Sequence, residues 1–345
     1  MDAVKIRLLS QGLAAPKATT PEEVVAHFGA MQAQEYRLMR WAVAMRTRRP
    51  SLKAFQEAFD DGRIVRIHLL RGTWQLVTGE DYPWMLALCA PKAEKVIRGW
   101  MSANRITIPE DEASIVRDIL IQTAHVRRSA TKEDFAGALR ANGFVLDDHR
   151  ISYHIRLAEL SGILCSGDLL PLKATYSLVE EKLGSAPLAV TRDEALKLLT
   201  LKYFQSHSPA TFEDFLWWTG LNVSDCRRGV ALLSEELRSV PWRGRDFFIH
   251  DSCRTRGVRS GGTLLLPPYD EYLIGYKSRD VVLDPAFAPR AHNNSGNFSP
   301  VIAHDGIICG NWSPFAKDFN ATYFHPDEPT VNDSLAWQRY LHAGK

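Results

Sequence analysis

The chain has 345 residues, of which 45% are hydrophobic and 24% charged, and a formal net charge of +2. This is the composition of a globular chain long enough for two or three domains of about 100–200 residues, and it excludes a polycation or a disordered polymer. No apolar run approaches the roughly 20 residues of a membrane span, and the start, MDAVKIRLLSQGLAAPK, lacks the apolar core of a secretory signal.

Thr20-Pro21-Glu22-Glu23 opens the first clear helix. Thr20 is placed to cap, Pro21 suits the first helical position, and Glu23 falls where a capping box needs it. Val24, Val25 and Phe28 follow at helical spacing, and Gly29 is a stop signal. Further helices are predicted over 37–46 and 51–60. The pattern then changes to two β-rich runs, GRIVRIHLL and GTWQLVTG, joined at Arg71-Gly72 as a ribbon. Helices followed by a two-stranded ribbon is the order of a winged helix.

That order recurs. Helices are predicted over 111–124, from the cap at Thr131, and over 147–161, followed by the ribbon-like GILCSGDLLPLKATYSLV. Helices over 191–206, from the cap at Thr211, and in SDCRRGVALLSEEL precede WRGRDFFIH. TKEDF at 131 and TFEDF at 211 echo one another, a weak internal repeat set against the alternative of two ordinary N-cap pentapeptides. From 258 the chain becomes rich in Gly, Pro and aromatics, with short strands around a turn at His304-Asp305-Gly306. The expected fold class is α+β: three tandem winged-helix units over 1–106, 107–186 and 187–257, then a small barrel-like β-rich domain over 258–345.

Five cysteines (Cys89, Cys165, Cys226, Cys253, Cys309) are scattered and never form C-x-x-C, which suits free thiols in a reducing cytoplasm. The histidines show no HExxH or paired metal spacing, so neither a metal nor a cofactor is expected. Charge is locally sorted. Residues 1–71 carry 12 Lys and Arg against 7 Asp and Glu, whereas 301–345 carry 3 against 5. A basic N-terminal face is the footprint of a nucleic-acid partner.

Several stretches, in order along nearly the whole chain, resemble one family: RLLSQGL, GAMQAQ, LLRGTWQLVTGEDYPWM, TFEDFLWWTGL, LLPPYDEYLIGYKSRDVVLDP and IAHDGIICGNW. They resemble the bacterial tandem winged-helix DNA glycosylases of the AlkZ and YcaQ type. The resemblance implies a Gln-x-Gln or Gln-x-Asp catalytic motif, excision of alkylated purines from duplex DNA, and in some members the unhooking of interstrand crosslinks. It also implies a bacterial protein, cytoplasmic and on the nucleoid when bound, acting as a monomer along one concave channel.

Gln32-Ala33-Gln34 matches the Gln-x-Gln form. On a helix these side chains would diverge by about 200°, but on an extended segment they share a side. A glutamine is no general base; it orients a water with its carbonyl and donates with its amine. That suffices for a cationic N7- or N3-alkylated purine, which departs neutral and needs no acid. The sugar develops oxocarbenium character that amide oxygens can stabilise. The plainer alternative is that both amides merely satisfy backbone groups at a helix end. On an extended segment Glu35 points away from the glutamines, as a solvated residue.

Phosphates are expected to meet Arg37, Arg46, Arg48, Arg49, His68, Arg71 and Gln75, with Arg40, Arg66, Arg127 and Arg128 as further surface charges. Gln75 stands where the family usually has histidine, and offers neutral hydrogen bonds in place of a cation. His68 has an equally simple structural reading within its strand. Arg150, Tyr153 and Arg156 lie at recognition-helix positions. Tyr269 and Asp270 are candidates for the channel rim. Asp270 and Glu271 read either as an acid/base pair or as partners of Lys277 and Arg279. Trp217 and Trp218 read as core. A non-catalytic winged-helix regulator or damage-recognition factor is the second reading of the whole chain. The direction of the two glutamine side chains separates it from the enzyme.

Overall fold

The computed structural model describes residues 1–184, 190–257, 262–325 and 333–343. It forms two compact units, one of residues 1–56 with 196–345 and one of residues 57–195. These units are coarser than the four stretches expected. Two of the expected boundaries, at 186/187 and 257/258, fall at segments outside the described residues.

The first unit starts with α1 (Ala3–Ser10), capped by the Asp2 carboxylate, which accepts the Lys5 N–H. In α2 (Pro21–Phe28) the Thr20 hydroxyl accepts the Glu23 N–H and Pro21 sits in the first turn, as the sequence signals. Gly29 ends α2 at φ +75°, and a Cβ there would lie 2.8 Å from the Lys202 side chain, so conformation and space both require glycine. The chain then runs extended through β1 (Met31–Gln32) before α3 (Met39–Ala44). The next helix, α4 (Leu52–Asp60), runs across the boundary between the units.

In the second unit β2 (Ile64–His68) and β3 (Trp74–Thr78) form the expected antiparallel ribbon, with Ile64 opposite Thr78 and His68 opposite Trp74. Arg71, at φ +57°, lies in its turn. The long helix α5 (Tyr82–Ala103) was not among the expected helices, and it holds Pro91 in its interior, where a missing N–H and the ring cost helix stability. Burial of Met85, Leu88, Ile97 and Met101 outweighs that cost, at roughly 1.5–3 kcal/mol per large apolar side chain. Then follow α6 (Glu110–Arg127), β4 (Ala130–Thr131), α7 (Lys132–Ala141), α8 (Asp148–Leu160), β5 (Leu164–Ser166), β6 (Thr175–Leu178) and α9 (Val179–Leu183). Thr131 and Asp134 close a full capping box on α7. The sheet order is β4-β6-β5, over a core that includes Val116, Leu120, Phe135, Leu139, Ile151 and Ile155.

The chain returns to the first unit within α10 (Arg192–His207). Thr211 and Asp214 form a second capping box on α11 (Phe212–Thr219), and α12 (Val223–Leu232) leads into the ribbon β7 (Leu237–Trp242) and β8 (Arg245–His250). Next come β9 (Thr263–Leu266), α13 (Glu271–Ile274), α14 (Ala288–Ala291), β10 (Val301–His304), β11 (Ile307–Trp312), β12 (Ala321–Tyr323) and α15 (Asp333–Ala343). Asp305 and Gly306, both at positive φ, make the two-residue turn between β10 and β11. Among the described residues this sheet is open, in the order β12-β11-β10-β9, which corrects the barrel-like expectation. No described helix is long and apolar enough to cross a membrane.

Candidate active site

The segment after α2 carries the glutamine pair, and Gln11, Arg46, His207, Trp218 and Glu271, described below, belong to the same unit. Gln32 is only 6% exposed. Its Oε1 accepts the Ala33 N–H at 3.1 Å, and its own main-chain N–H donates to Glu271 Oε1 at 2.6 Å. Gln34 is half-buried. The backbone is extended at Met31–Gln32 and bends at Gln34, so the extended conformation expected of the pair is present at its first member only.

Glu271 is 2% exposed and serves three donors. Besides the Gln32 N–H, its Oε2 accepts Trp218 Nε1–H at 3.1 Å and lies 3.2 Å from His207 Nε2. His207 is fully buried, stacked on Tyr203 at 4.5 Å between ring centres and edge-on to Phe28. Burial pushes its pKa below the ordinary histidine value, against the opposing pull of Glu271. Gln11 Nε2 donates to the Glu271 carbonyl and to the Tyr276 hydroxyl, each at 3.3 Å, and that hydroxyl donates to the His207 carbonyl at 3.0 Å.

Arg46 closes the frame. It donates to both Asp270 oxygens at 2.7 and 2.9 Å, to Gln11 Oε1 at 3.0 Å and to the Ala42 carbonyl at 2.7 Å. With 1% of its side chain exposed it is no surface cation, which corrects its expected role as a phosphate contact. Asp270, at 3% exposure, is likewise no rim residue. It holds Arg46 in place of Lys277 or Arg279. The run Arg46-Thr47-Arg48-Arg49 splits, with the first two residues buried and the last two exposed. Arg37 is half-exposed over the Phe315 ring at 3.6 Å, and its main-chain N–H and its Nε–H donate to Glu35 Oε1 at 3.2 and 3.4 Å. Tyr269 adopts φ +59° and donates to Asn297 Oδ1 at 3.2 Å. Trp217 is 38% exposed, whereas Trp218 is fully buried.

In the second unit His68 is buried, bonded to Glu159 and 4.2 Å from the Trp74 ring, and burial lowers its pKa. Gln75 is 1% exposed and donates to Thr73 Oγ1 at 2.9 Å. Neither presents a free group to a phosphate, so both expectations are corrected. Arg71 is half-buried. Arg66 stacks on Trp74, and Arg150 is forked onto Glu112 at 2.6 and 2.7 Å. Arg127 and Arg128 are exposed, paired with Asp134 and Glu181. Tyr153 is buried, and Arg156 lies 5.3 Å over its ring.

Two participants in the frame, His207 and the Trp218 N–H, carried no functional signal in the sequence. Each is an isolated buried residue whose role depends on a carboxylate more than fifty positions away. A cavity of about 430 Å³ in the unit is lined by Gln11, His27, Phe28, Arg46 and Cys253, among others, and by neither Gln32 nor Gln34. Among the described residues no group of three or more His, Cys, Asp or Glu side chains could hold a metal ion.

A family model described as "DNA glycosylase AlkZ-like" matches residues 25–331. The chain belongs to the AlkZ-like DNA glycosylase family. It is thus a hydrolase of N-glycosyl bonds in DNA. A curated relative, the interstrand DNA cross-link repair glycosylase of Streptomyces sahachiroi, is 25% identical over 340 residues, covering 93% of this chain and 89% of the relative. The solved structure of Streptomyces sahachiroi DNA glycosylase AlkZ shares the fold, with a TM-score of 0.77 and 22% identity over 99% of this chain and 95% of that one. In this glycosylase the Gln-x-Gln segment thus stands on a buried polar frame, with a carboxylate directly behind its backbone.

Proposed function

We propose that this glycosylase excises cationic N7- or N3-alkylated purines from duplex DNA, with Gln32 and Gln34 as the catalytic pair. The observation that carries the reading is the non-helical segment after α2, extended at Met31–Gln32 and bent at Gln34, with the Gln32 main-chain N–H held by Glu271. Gln34, the more accessible of the two, orients the attacking water through its amide carbonyl. Gln32 sets the polarity of the site beside the sugar as positive charge develops there. The alkylated base leaves neutral, so amides suffice where a normal base would demand an acid.

The relative's name extends the substrate class to interstrand crosslinks. Three winged-helix repeats, over 1–106, 107–186 and 187–257, are supported by the recurring order of helices and ribbon and by the paired capping boxes at Thr131 and Thr211. Arg37, Arg48, Arg49 and Arg71 are the phosphate contacts of this reading, and the protein acts as a monomer.

The test is single-turnover excision from a duplex carrying one N7-methylguanine, with alkaline cleavage of the abasic product as the readout. Native protein is expected to exceed spontaneous depurination and Gln34→Ala to lose most of that gain. A Gln34→Ala variant with native rates, on this lesion or on a crosslinked duplex, overturns the reading.

A further inference from the structure

We infer that Glu271 is a positioning residue of the excision reaction, holding the catalytic segment in register through the main-chain N–H of Gln32. The inference rests on the reading of Gln32 and Gln34 as the catalytic pair. Three observations carry it. First, the contact is short, 2.6 Å from Gln32 N to Glu271 Oε1, as a charge-assisted hydrogen bond should be. Second, Glu271 is itself immobilised, because its other oxygen takes the Trp218 indole N–H and faces His207, and its carbonyl takes Gln11. Third, its neighbour Asp270 caps α13 and anchors to Arg46, so the backbone that carries Glu271 is also fixed.

The chemistry demands a carboxylate and not merely an acceptor. The Gln32 amide and the Trp218 indole are donors only, and they approach opposite oxygens. A glutamine at 271 offers one oxygen and one NH₂. Whichever way it flips, one of the two donors faces another donor. The carboxylate alone satisfies both, and a displacement of the Gln32 backbone moves both side chains of the pair together. Misplacement by about 1 Å can cost on the order of 10²-fold in rate.

The experiment measures the single-turnover excision rate and the duplex affinity of native protein, Glu271→Gln, Gln32→Ala, Gln34→Ala and the Glu271→Gln/Gln32→Ala double variant. The expected result is an excision rate lower by about 10²-fold in Glu271→Gln with duplex affinity unchanged. The double variant should fall no further than the worse single one, the mark of two residues acting as a unit. A Glu271→Gln rate within about threefold of native, with the glutamine variants impaired, overturns this inference alone. So do effects of Glu271→Gln and Gln32→Ala that multiply. Native rates in both glutamine variants overturn the pair's role and this inference with it. If Glu271→Gln does not fold, amide hydrogen exchange of the native protein decides: a protected Gln32 N–H supports the contact, and exchange at the rate of an open loop overturns it.

Discussion

Each unit of this glycosylase buries a histidine against a glutamate, and the two pairs serve different ends. In the 57–195 unit His68 meets Glu159 beside Trp74, and so joins the ribbon to α8. In the other unit His207 meets Glu271, but that carboxylate also takes the Trp218 indole and the Gln32 main chain. The first pair braces architecture. The second braces the segment that carries the candidate catalytic amides. Their chemistry is the same, and only the third and fourth partners assign the second pair to the site.

Variants can break that contrast or sharpen it. The largest effect on rate is expected from Gln34→Ala, a loss of about 10²–10³-fold in single-turnover excision with thermal stability unchanged. The largest effect on stability is expected from Asp270→Ala. It strands the buried Arg46 guanidinium, and removing one partner of such a pair costs roughly 3–5 kcal/mol by urea denaturation. Glu159→Gln should cost less, about 1–3 kcal/mol for a weakened buried hydrogen bond, and should leave the excision rate of folded protein at saturating enzyme unchanged. A loss of rate there would erase the distinction between the two pairs.

Acid should act on both pairs alike. Burial pushes the His207 and His68 pKa values below their ordinary 6.5, so the unfolded chain binds protons that the folded chain does not. Their contribution to stability is therefore complete above about pH 6.5 and declines as pH falls towards the depressed folded-state values. Urea midpoints measured from pH 7.5 downwards should fall in that window. Glu159→Gln removes a group that raises the His68 pKa, and should extend the decline to lower pH. The smallest effects belong to Arg48→Ala and Arg49→Ala. Each should lower the slope of log affinity against log salt by about 1 while shifting stability by no more than about 0.5 kcal/mol.

Local rules made much of this legible. Thr20-Pro21, Thr131 with Asp134, and Thr211 with Asp214 announce helix starts because capping needs only neighbouring residues. Gly29 and the extended stretch after it were readable for the same reason. The ladder from Ile64 to Thr78 followed from its β-rich runs and turn. Long-range burial was not legible. Arg46 and Arg48 look alike in sequence, yet one is pinned under Asp270, 224 positions away, and the other is exposed. Gln75 reads as a surface group because nothing local reports that its strand is covered, whereas His68 is buried as the structural reading of a lone strand histidine has it. The helix α5 was not expected; it tolerates Pro91 because the local penalty is smaller than the gain from the core that its neighbours bury.

The bond between Gln32 and Glu271 spans 239 positions of chain. During synthesis the glutamines leave the ribosome early and the glutamate late, separated by roughly 10–50 s at about 5–20 residues per second. For that interval the nascent polypeptide displays the motif without its brace. A chain that stalls before residue 271 carries both glutamines without the carboxylate that takes the Gln32 N–H. On the reading proposed for Gln32, Gln34 and Glu271, the order of translation is itself a safeguard: the amides and their brace come together only late in synthesis.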